Sequence, residues 1–507
     1  MSSTYQTTRI AAALLMCSSA PAAAQGLDET IDQAFRPVAK AMSELVFYSI
    51  PIGEAELQLI VLWLVIGALA FTLYFRFINV RGFGHAIRIT RGDYDDPDEP
   101  GEVSHFQALT TAVSGTVGVG NITHVAVAIS IGGPGATFWL IVAGFLGMAS
   151  KFTECTLGTK FRQENPDGSV SGGPMFYLEK GLAERNLPRL GKTMAWYYAI
   201  CIIIGCLGIG CMFQANQAYV QMVNITGGSD SFFAFRGWLF GGILAVLVAF
   251  VIIGGIRSIA KVTSKLVPFM AILYLLTAFI VIAANYADVP WAVYAIVSNA
   301  FSPDGVTGGV IAVLVLGFRR AAFSNEAGIG SSSIAHAAVK TREPISQGYV
   351  AMLEPFIDTV IVCATTALLI TVTVYEPGMV NDGTISGVEL TSSAFASVLP
   401  WFPYVLAVVI MLFAYSTMIS WSYYGLEGCI FIFGPNRWTK LVYNTIFCLF
   451  IILGCTAQLD SILDFSDAMV FAMALANVLG LYLLAPVVKR ELEAYWSRLR
   501  ARYPDAR

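Results

Sequence analysis

Apolar positions in this chain fall in long blocks, not at the period of a helix face or a strand. Runs of roughly 20 apolar residues recur from end to end, the length a helix needs to cross the hydrocarbon of a bilayer. Eleven spans are predicted, at 56–75, 107–131, 134–157, 194–222, 237–256, 266–286, 306–337, 346–374, 401–433, 441–457 and 464–488. Several exceed the minimum length, so tilt, breaks or extensions past the bilayer are expected. Ahead of the first span, Ile31, Phe35, Val38, Met42 and Leu45 recur at helical spacing. That stripe predicts a short amphipathic helix on the membrane surface.

The first 24 residues read separately. Arg9 ends a polar start, 10–20 is a short apolar stretch, and Pro21-Ala22-Ala23-Ala24 makes a small-residue cleavage site. This is the pattern of a secretory signal peptide, too short to span as a helix. It implies a bacterial envelope protein with a periplasmic mature N-terminus.

Composition sharpens the picture. Of 507 residues, 56% are hydrophobic and 13% charged, against about 25% charged in a soluble domain, and the mean hydropathy is +0.68. One membrane domain is expected, and the net charge of −4 gives no footprint for nucleic acid. The nine cysteines include no C-x-x-C pair and the four histidines show no ligand spacing, so neither a disulfide framework nor a transition-metal site is expected.

Lys and Arg give the orientation. With the N-terminus outside, segments predicted to lie inside hold 26 of the 30 basic residues; outside stand Arg36, Lys40 and Arg236, and Arg9 belongs to the leader. The inside groups include 151–192 and the set Arg319, Arg320, Lys340 and Arg342. Such asymmetry predicts a cytoplasmic C-terminus in the inner membrane.

An internal repeat organises the spans. Ser114-Gly115-Thr116-Val117-Gly118-Val119-Gly120-Asn121 in the second span and Ser324-Asn325-Glu326-Ala327-Gly328-Ile329-Gly330-Ser331 in the seventh both follow S-x-x-x-G-(V/I)-G-(N/S), 210 residues apart. Five spans separate the two starts, so the copies enter the membrane from opposite sides. The expected organisation is a signal peptide at 1–24, a periplasmic amphipathic segment at 25–54, a first helix and cytoplasmic loop at 55–105, five-helix repeats at 106–290 and 291–488, and a cytoplasmic tail at 489–507. The fold class is all-α, polytopic, with broken helices. Glycines two apart weaken a helix by about 1 kcal/mol each relative to alanine. Backbone groups freed at membrane depth are tolerated only where a cavity, ion or ligand satisfies them. Paired breaks at matching places in two halves therefore point to a transport site.

Candidate residues cluster around these motifs. Gly115, Thr116, Gly118, Gly120 and Asn121 offer backbone donors, a hydroxyl and an amide. Gln214 and Asn216 are polar within the apolar fourth span, and an interhelical bond is the expected role of Asn216. Thr417 and Trp421, four apart on the ninth span, share a helix face and suit a walled site. Asn325 and Glu326 lie in the second motif, where Glu326 is either a site residue or the partner of Arg319 or Arg320 in a gate. Asp358 reads as structural.

These motifs also resemble a known family. SGTVGVGNI, the GGPGATFW that follows it, GGPMFYLEKGL at 172–182, FSNEAGIGSSSIAHA at 323–337, IGGIRSIAKV at 253–262 and WSYYG at 421–425 are similar to the alanine or glycine:cation symporter family, over about residues 57–487. Departures occur at Cys211 and Met212 before Gln214, at Leu426 before Glu427, and at Ala321-Ala322 before the FSNEAG motif. The resemblance implies a leucine-transporter-like five-plus-five inverted repeat and uptake of small neutral amino acids with sodium. It also implies that hydroxyls of the ninth span hold sodium together with carbonyls of the first broken helix; Ser114, Asn121, Ser416, Thr417 and Ser420 are the candidates, hard oxygen donors that suit such an ion. No cofactor beyond the coupling ion is implied. Proton coupling through carboxylates such as Glu326, or a related small-amino-acid transporter of different specificity, is the alternative. No H-E-x-x-H or G-x-S-x-G motif points to an enzyme.

Overall fold

The computed structural model describes residues 36–502 apart from 53–54, 97, 166–167, 303–308, 376–386, 399 and 457–459. The leader at 1–24, and Ile31 and Phe35 of the amphipathic stripe, lie outside the described residues. The rest of that stripe is helical, in α1 at 36–46. A hairpin follows, β1 (Ser49–Ile52) against β2 (Ala55–Gln58), paired antiparallel. It leads into α2 (Leu59–Tyr74), then α3 (Ile78–Arg81) and α4 (Phe83–Thr90).

The first repeat begins with α5 (His105–Thr116), broken from α6 (Gly120–Gly132) by a bend of 43°. Ser104 opens α5 through a capping box with Gln107, which satisfies two of the orphan donors at the helix start. Next come α7 (Gly135–Lys160), α8 (Pro174–Glu184), α9 (Pro188–Leu207), α10 (Gln214–Ile225), α11 (Gly237–Ile252) and α12 (Gly255–Ala284). A π turn at Gly208–Phe213 joins α9 to α10. The short α13 (Val289–Phe301) links the repeats.

The second repeat mirrors the first. Its broken pair is α14 (Gly309–Asn325) and α15 (Ser332–Ala337). Then α16 (Pro344–Ala351) and α17 (Leu353–Pro355) run through a π turn at Phe356–Cys363 into α18 (Ala364–Thr373), followed by α19 (Gly387–Ala396), α20 (Phe402–Phe433), α21 (Arg437–Thr456) and α22 (Asp460–Arg502). The inserted helices α8 and α19 occupy the same place in their repeats, after the third and eighth spans. Neither they nor α13 is predicted by the apolar runs.

By length and composition, seven described helices can cross a membrane, and the α5–α6 pair makes an eighth. Three predicted spans correspond to shorter elements: α2 and α11 have 16 residues each, and the seventh span divides into α14, of 17 residues, and α15, of 6. The count of eleven is therefore not reached by length alone.

The two ends of the bundle differ. At one end, which contains the C-terminal part of α22, the segment before α5 bridges to the chain after α15: Lys340 N donates to Val103 O at 2.8 Å and Glu102 N to Ala338 O at 2.7 Å. The Arg162 guanidinium ties these segments by donating to the carbonyls of Pro100, Ala337, Val339 and Thr341. Burial, the largest effect there, lowers the pKa of Arg162 from its ordinary value. At this end Arg498 also makes a two-pronged ion pair with Glu343. Since α5 starts here and α15 finishes here, the broken helices run in opposite directions.

Two assignments in the charge count are corrected. Arg319 and Arg320 stand towards the other end, where Arg319 lies 5.3 Å over the Phe47 ring and both feel the charge of Asp467 near the start of α22. Lys151 belongs to no loop: it is fully buried within α7. An apolar run hides a lysine whose partner arrives from a distant helix.

Candidate functional site

The first break is built from neutral groups. Val117 leaves α5 in an extended conformation, with φ −73 and ψ 97, and the last carbonyls of α5 lose their helical donors. Three side chains of α20 reach this end of α5. Thr417 Oγ1 donates to Ser114 O at 3.1 Å, Trp421 Nε1 to Gly115 O at 3.1 Å, and Ser420 Oγ to Ser114 Oγ at 3.0 Å. Ser114 Oγ in turn donates to Ser416 O at 2.7 Å, while Ser416 Oγ turns back to Phe413 O. Gly118 faces Thr417 so closely that an added Cβ would sit 2.9 Å from its Oγ1. Asn121 turns its amide oxygen to Gly118 N at 2.8 Å. Thr116 makes long bonds at 3.4–3.5 Å to carbonyls of its own helix.

The second break is built among charges. Glu326, at φ 55, leaves α14, and Gly328 and Gly330 follow at φ 92 and 94. Gly328 N donates to Glu154 Oε1 at 2.7 Å, and Asn477 Nδ2 bridges Glu154 Oε1 and Gly328 O. Lys151 Nζ binds Glu354 Oε1 at 3.0 Å and Ser332 Oγ at 2.5 Å. Ser331 Oγ donates to Glu326. His336 stands 3.9 Å from Glu354. Each of these residues is buried, so the cluster is held where unpaired charge is most expensive.

Asp358, on the π turn of the eighth span, joins the two breaks. Its Oδ1 accepts from Asn121 Nδ2 at 2.6 Å; its Oδ2 accepts from Ser324 Oγ at 2.6 Å and Thr359 Oγ1 at 2.8 Å. Asn325 Nδ2 reaches Thr359 Oγ1 at 2.9 Å. Asp358 is fully buried, and among the described residues no cationic side chain lies within ion-pair distance of it. Asp358, read from the sequence as structural, thus stands between both motifs.

A wall closes the neighbourhood of the first break. An added Cβ at Gly210, in the π turn between α9 and α10, would lie 2.6 Å from Trp421 Cβ, so the indole packs directly on that backbone. The Tyr424 ring is 5.8 Å from Trp421. Gln214 follows Gly210 by about one turn; its Nε2 bonds Ile209 O, while its Oε1 is buried without a partner. Outward along α10, Gln217, Gln221 and Asn224 line a cavity of about 470 Å³ shared with the start of α20. Asn216 makes an interhelical bond to Gly454 O at 3.1 Å.

Comparison with known proteins decides the family. The model of the sodium:alanine symporter family matches residues 48–506. The chain belongs to that family. It is a multi-pass membrane transporter and not an enzyme, and the family and relatives together support sodium-coupled amino-acid symport. It is 37% identical to the sodium/alanine symporter AgcS of Methanococcus maripaludis, over 84% of this chain and 91% of that one. It is 33% identical to GlnT of Bacillus subtilis, described as a probable sodium/glutamine symporter, over 87% and 88%. In three dimensions it resembles the crystal structure of MhsT in complex with L-phenylalanine, with a TM-score of 0.53 at 16% identity, covering 76% of this chain and 89% of that one. That likeness shows the leucine-transporter-like fold.

The symporter's predicted residues divide into three groups. Ser114, Gly115, Gly118, Asn121, Thr417, Ser420 and Trp421 meet at the first break, with Thr116 and Gly120 on its flanks, Ser416 present through its backbone carbonyl, and Gln214 a turn beyond the wall. Asn325 and Glu326 meet at the second break. Arg319 and Arg320 do not join them. Glu326 bonds Ser331 and makes no ion pair with either arginine, because those side chains leave α14 more than a turn earlier, towards Phe47 and Asp467. The Arg–Glu326 gate is therefore corrected. Sequence reasoning gave Lys151, Glu154 and Glu354 no part in the site. Lys151 and Glu154 at i, i+3, and Glu354 and Asp358 at i, i+4, were the available signal, since each pair shares a helix face.

Proposed function

We propose that this symporter takes up small neutral amino acids, alanine and glycine foremost, with sodium, by alternating access. It works in a bacterial inner membrane with its N-terminus periplasmic and its C-terminus cytoplasmic. The observation that carries this reading is the meeting of Thr417, Ser420 and Trp421 with the Ser114 and Gly115 end of the first broken helix. Hydroxyls and freed carbonyls there form a hard oxygen set for a monovalent cation. The indole, fixed against Gly210, is a rigid wall that would exclude a large side chain. A second oxygen set supports the same coupling: the buried Asp358 carboxyl and the Ser324 and Thr359 hydroxyls, steadied by the Asn121 amide N–H, gather oxygens that a cation complements. The name of AgcS agrees with alanine, and that of GlnT marks glutamine as the substrate to exclude.

The buried cluster of Lys151, Glu154, Glu326 and Glu354 favours one rival, proton coupling, because three carboxylates share a single lysine there. Uptake into proteoliposomes separates the two. Radiolabelled alanine is expected to concentrate under an inward sodium gradient and to vary little between pH 6 and 8, with glycine competing and glutamine and leucine not competing. Full concentrative uptake under a proton gradient without sodium would overturn the sodium reading, and efficient competition by glutamine would overturn the substrate reading.

A further inference from the structure

At the end of the bundle tied by Arg162, the helices enclose a cavity of about 580 Å³ that the transport reading does not use. Its walls come from the end of α2, from α3 and α4, and from the stretch of α22 where the apolar run gives way to charge at Lys489. Arg76, Arg81, Lys489 and Arg500 line it, with Tyr74 and Trp496 between them. Arg76 and Phe77 both hold left-handed backbone, at φ 55 and 56, a conformation that residues with side chains seldom adopt. This double kink turns the chain off α2 and sets Arg76 on the rim.

The cations here lack acidic partners. Among the described residues, no carboxylate lies within ion-pair distance of any of the four. Lys489 Nζ instead lies 5.4 Å over the Tyr74 ring and the Arg500 guanidinium 5.8 Å over Trp496, contacts that leave N–H donors free. Neighbouring acids are already paired: Glu491 with Lys160 at 2.5 Å and Glu343 with Arg498 at 2.6 Å. Only Glu493 adds negative charge to the lining. The floor is rigid, since Trp496 Nε1 donates to Tyr349 OH at 3.0 Å and His85 Nε2 bonds Tyr495 OH at 2.7 Å. Burial, and then the charge of Arg88, push the His85 pKa down to about 4, so the positive field comes from lysine and arginine alone. Beside the cavity, Leu73, Phe77 and Val80 are exposed apolar residues.

We propose that this pocket binds the headgroup of an anionic phospholipid. The phosphate sits on Arg76, Arg81 and Lys489 near the Tyr74 and Trp496 rings, and the acyl chains lie along the exposed Leu73, Phe77 and Val80. A basic, aromatic-walled recess between helices at the edge of the hydrocarbon has the chemistry for this ligand. Free phosphate shares the headgroup's charge but has no chains for the apolar flank.

Native mass spectrometry of the delipidated full-length protein tests this with three probes: phosphatidylglycerol, phosphatidylcholine with the same chains, and inorganic phosphate. The expected result is one saturable phosphatidylglycerol site, at least tenfold preferred over phosphatidylcholine and not displaced by millimolar phosphate. Removing each cation weakens binding roughly fivefold, so Arg76→Gln/Arg81→Gln/Lys489→Gln abolishes the preference, while Arg437→Gln/Lys440→Gln, outside the cavity, keeps it. Arg76→Lys/Arg81→Lys retains the charge and most of the binding, and it replaces the triple variant should that one fail to fold. The proposal is overturned if the triple variant keeps the wild-type preference, if the distant pair loses it equally, if the lysine variant loses it while folded, or if phosphate displaces the lipid.

Discussion

At the first break the chain leaves its helix through Val117 in extended backbone, and its partners are hydroxyls, an indole N–H and an amide. At the second it leaves through Glu326, Gly328 and Gly330 in left-handed backbone, among Lys151, Glu154 and Glu354. The two segments carry the same motif, yet their glycines serve different ends. Gly118 is small because Thr417 stands against it, whereas Gly330 is glycine because of its φ of 94. A repeat duplicates the capacity to break a helix; the helices packed on each copy decide what the break does. In the proposed function the neutral copy is where an ion and a zwitterion bind reversibly, whereas the charged copy fastens α7, the eighth span and α22 around a fixed kink.

Breaking the charged copy should have the largest effect. Lys151→Met leaves Glu354 buried without its ion-pair partner and removes the lysine's field from Glu154, so a destabilisation of about 3–5 kcal/mol is expected. Adding Glu354→Gln should restore part of it, because two neutral groups are easier to bury than one charge. Thermal unfolding in detergent measures both. At the first break Ser420→Ala removes one neutral hydrogen bond and should change stability by about 1 kcal/mol. Equal losses at the two breaks would remove the contrast.

The glycines sharpen it further. Gly330→Ala forces a side chain into left-handed backbone, at about 1–2 kcal/mol, and places its Cβ 2.7 Å from Pro174 Cγ. A fall in stability of about 2–3 kcal/mol is expected, with transport lost in proportion to folded protein. Gly118→Ala crowds the Thr417 hydroxyl, at 2.9 Å, with Thr116 O in ordinary contact at 3.9 Å. It should keep the melting temperature within a few degrees and raise the sodium requirement of uptake. The interpretation fails if Gly118→Ala unfolds the protein or Gly330→Ala leaves it intact.

Much of this was legible in the chain, and what was not has a physical reason. The neutral break could be read because its glycines, Thr116 and Asn121 are adjacent in sequence, and because Thr417 and Trp421 are spaced to share a face. The charged break could not. Lys151 and Glu154 precede it by more than 170 residues, and neither shows its purpose while the partners are unseen: Glu354 on the eighth span for Lys151, Gly328 and Asn477 for Glu154. The π turns at Gly208–Phe213 and Phe356–Cys363 leave no mark in hydrophobic periodicity, yet they set Gly210 against Trp421 and bring Asp358 to Asn121. The left-handed glycines were equally hidden, since the motif spells both breaks alike.

The smallest expected effect separates ion binding from size selection within the neutral copy itself. Thr417 and Trp421 are one turn apart on α20 and donate to adjacent carbonyls, Ser114 O and Gly115 O, each at 3.1 Å. Their roles differ because a hydroxyl can turn a lone pair to a cation, whereas an indole N–H only donates. Thr417→Val keeps the shape and loses the oxygen. It should raise the half-saturating sodium concentration about fivefold, the equivalent of one hydrogen bond of about 1 kcal/mol, while the order of competing amino acids stays unchanged. Trp421→Leu keeps the Thr417 oxygen and opens the wall against Gly210. Each further methylene of substrate gains about 0.8 kcal/mol on burial, so attraction favours larger side chains and only steric exclusion rejects them. Valine and leucine should therefore begin to compete with alanine, with sodium dependence little altered. Competition and sodium titrations on both purified variants read the two effects separately. If Thr417→Val shifted selectivity, or Trp421→Leu left it as in the wild type, the assignment of ion to hydroxyl and size to indole would be wrong, and the neutral copy would bind its ligands through the backbone alone.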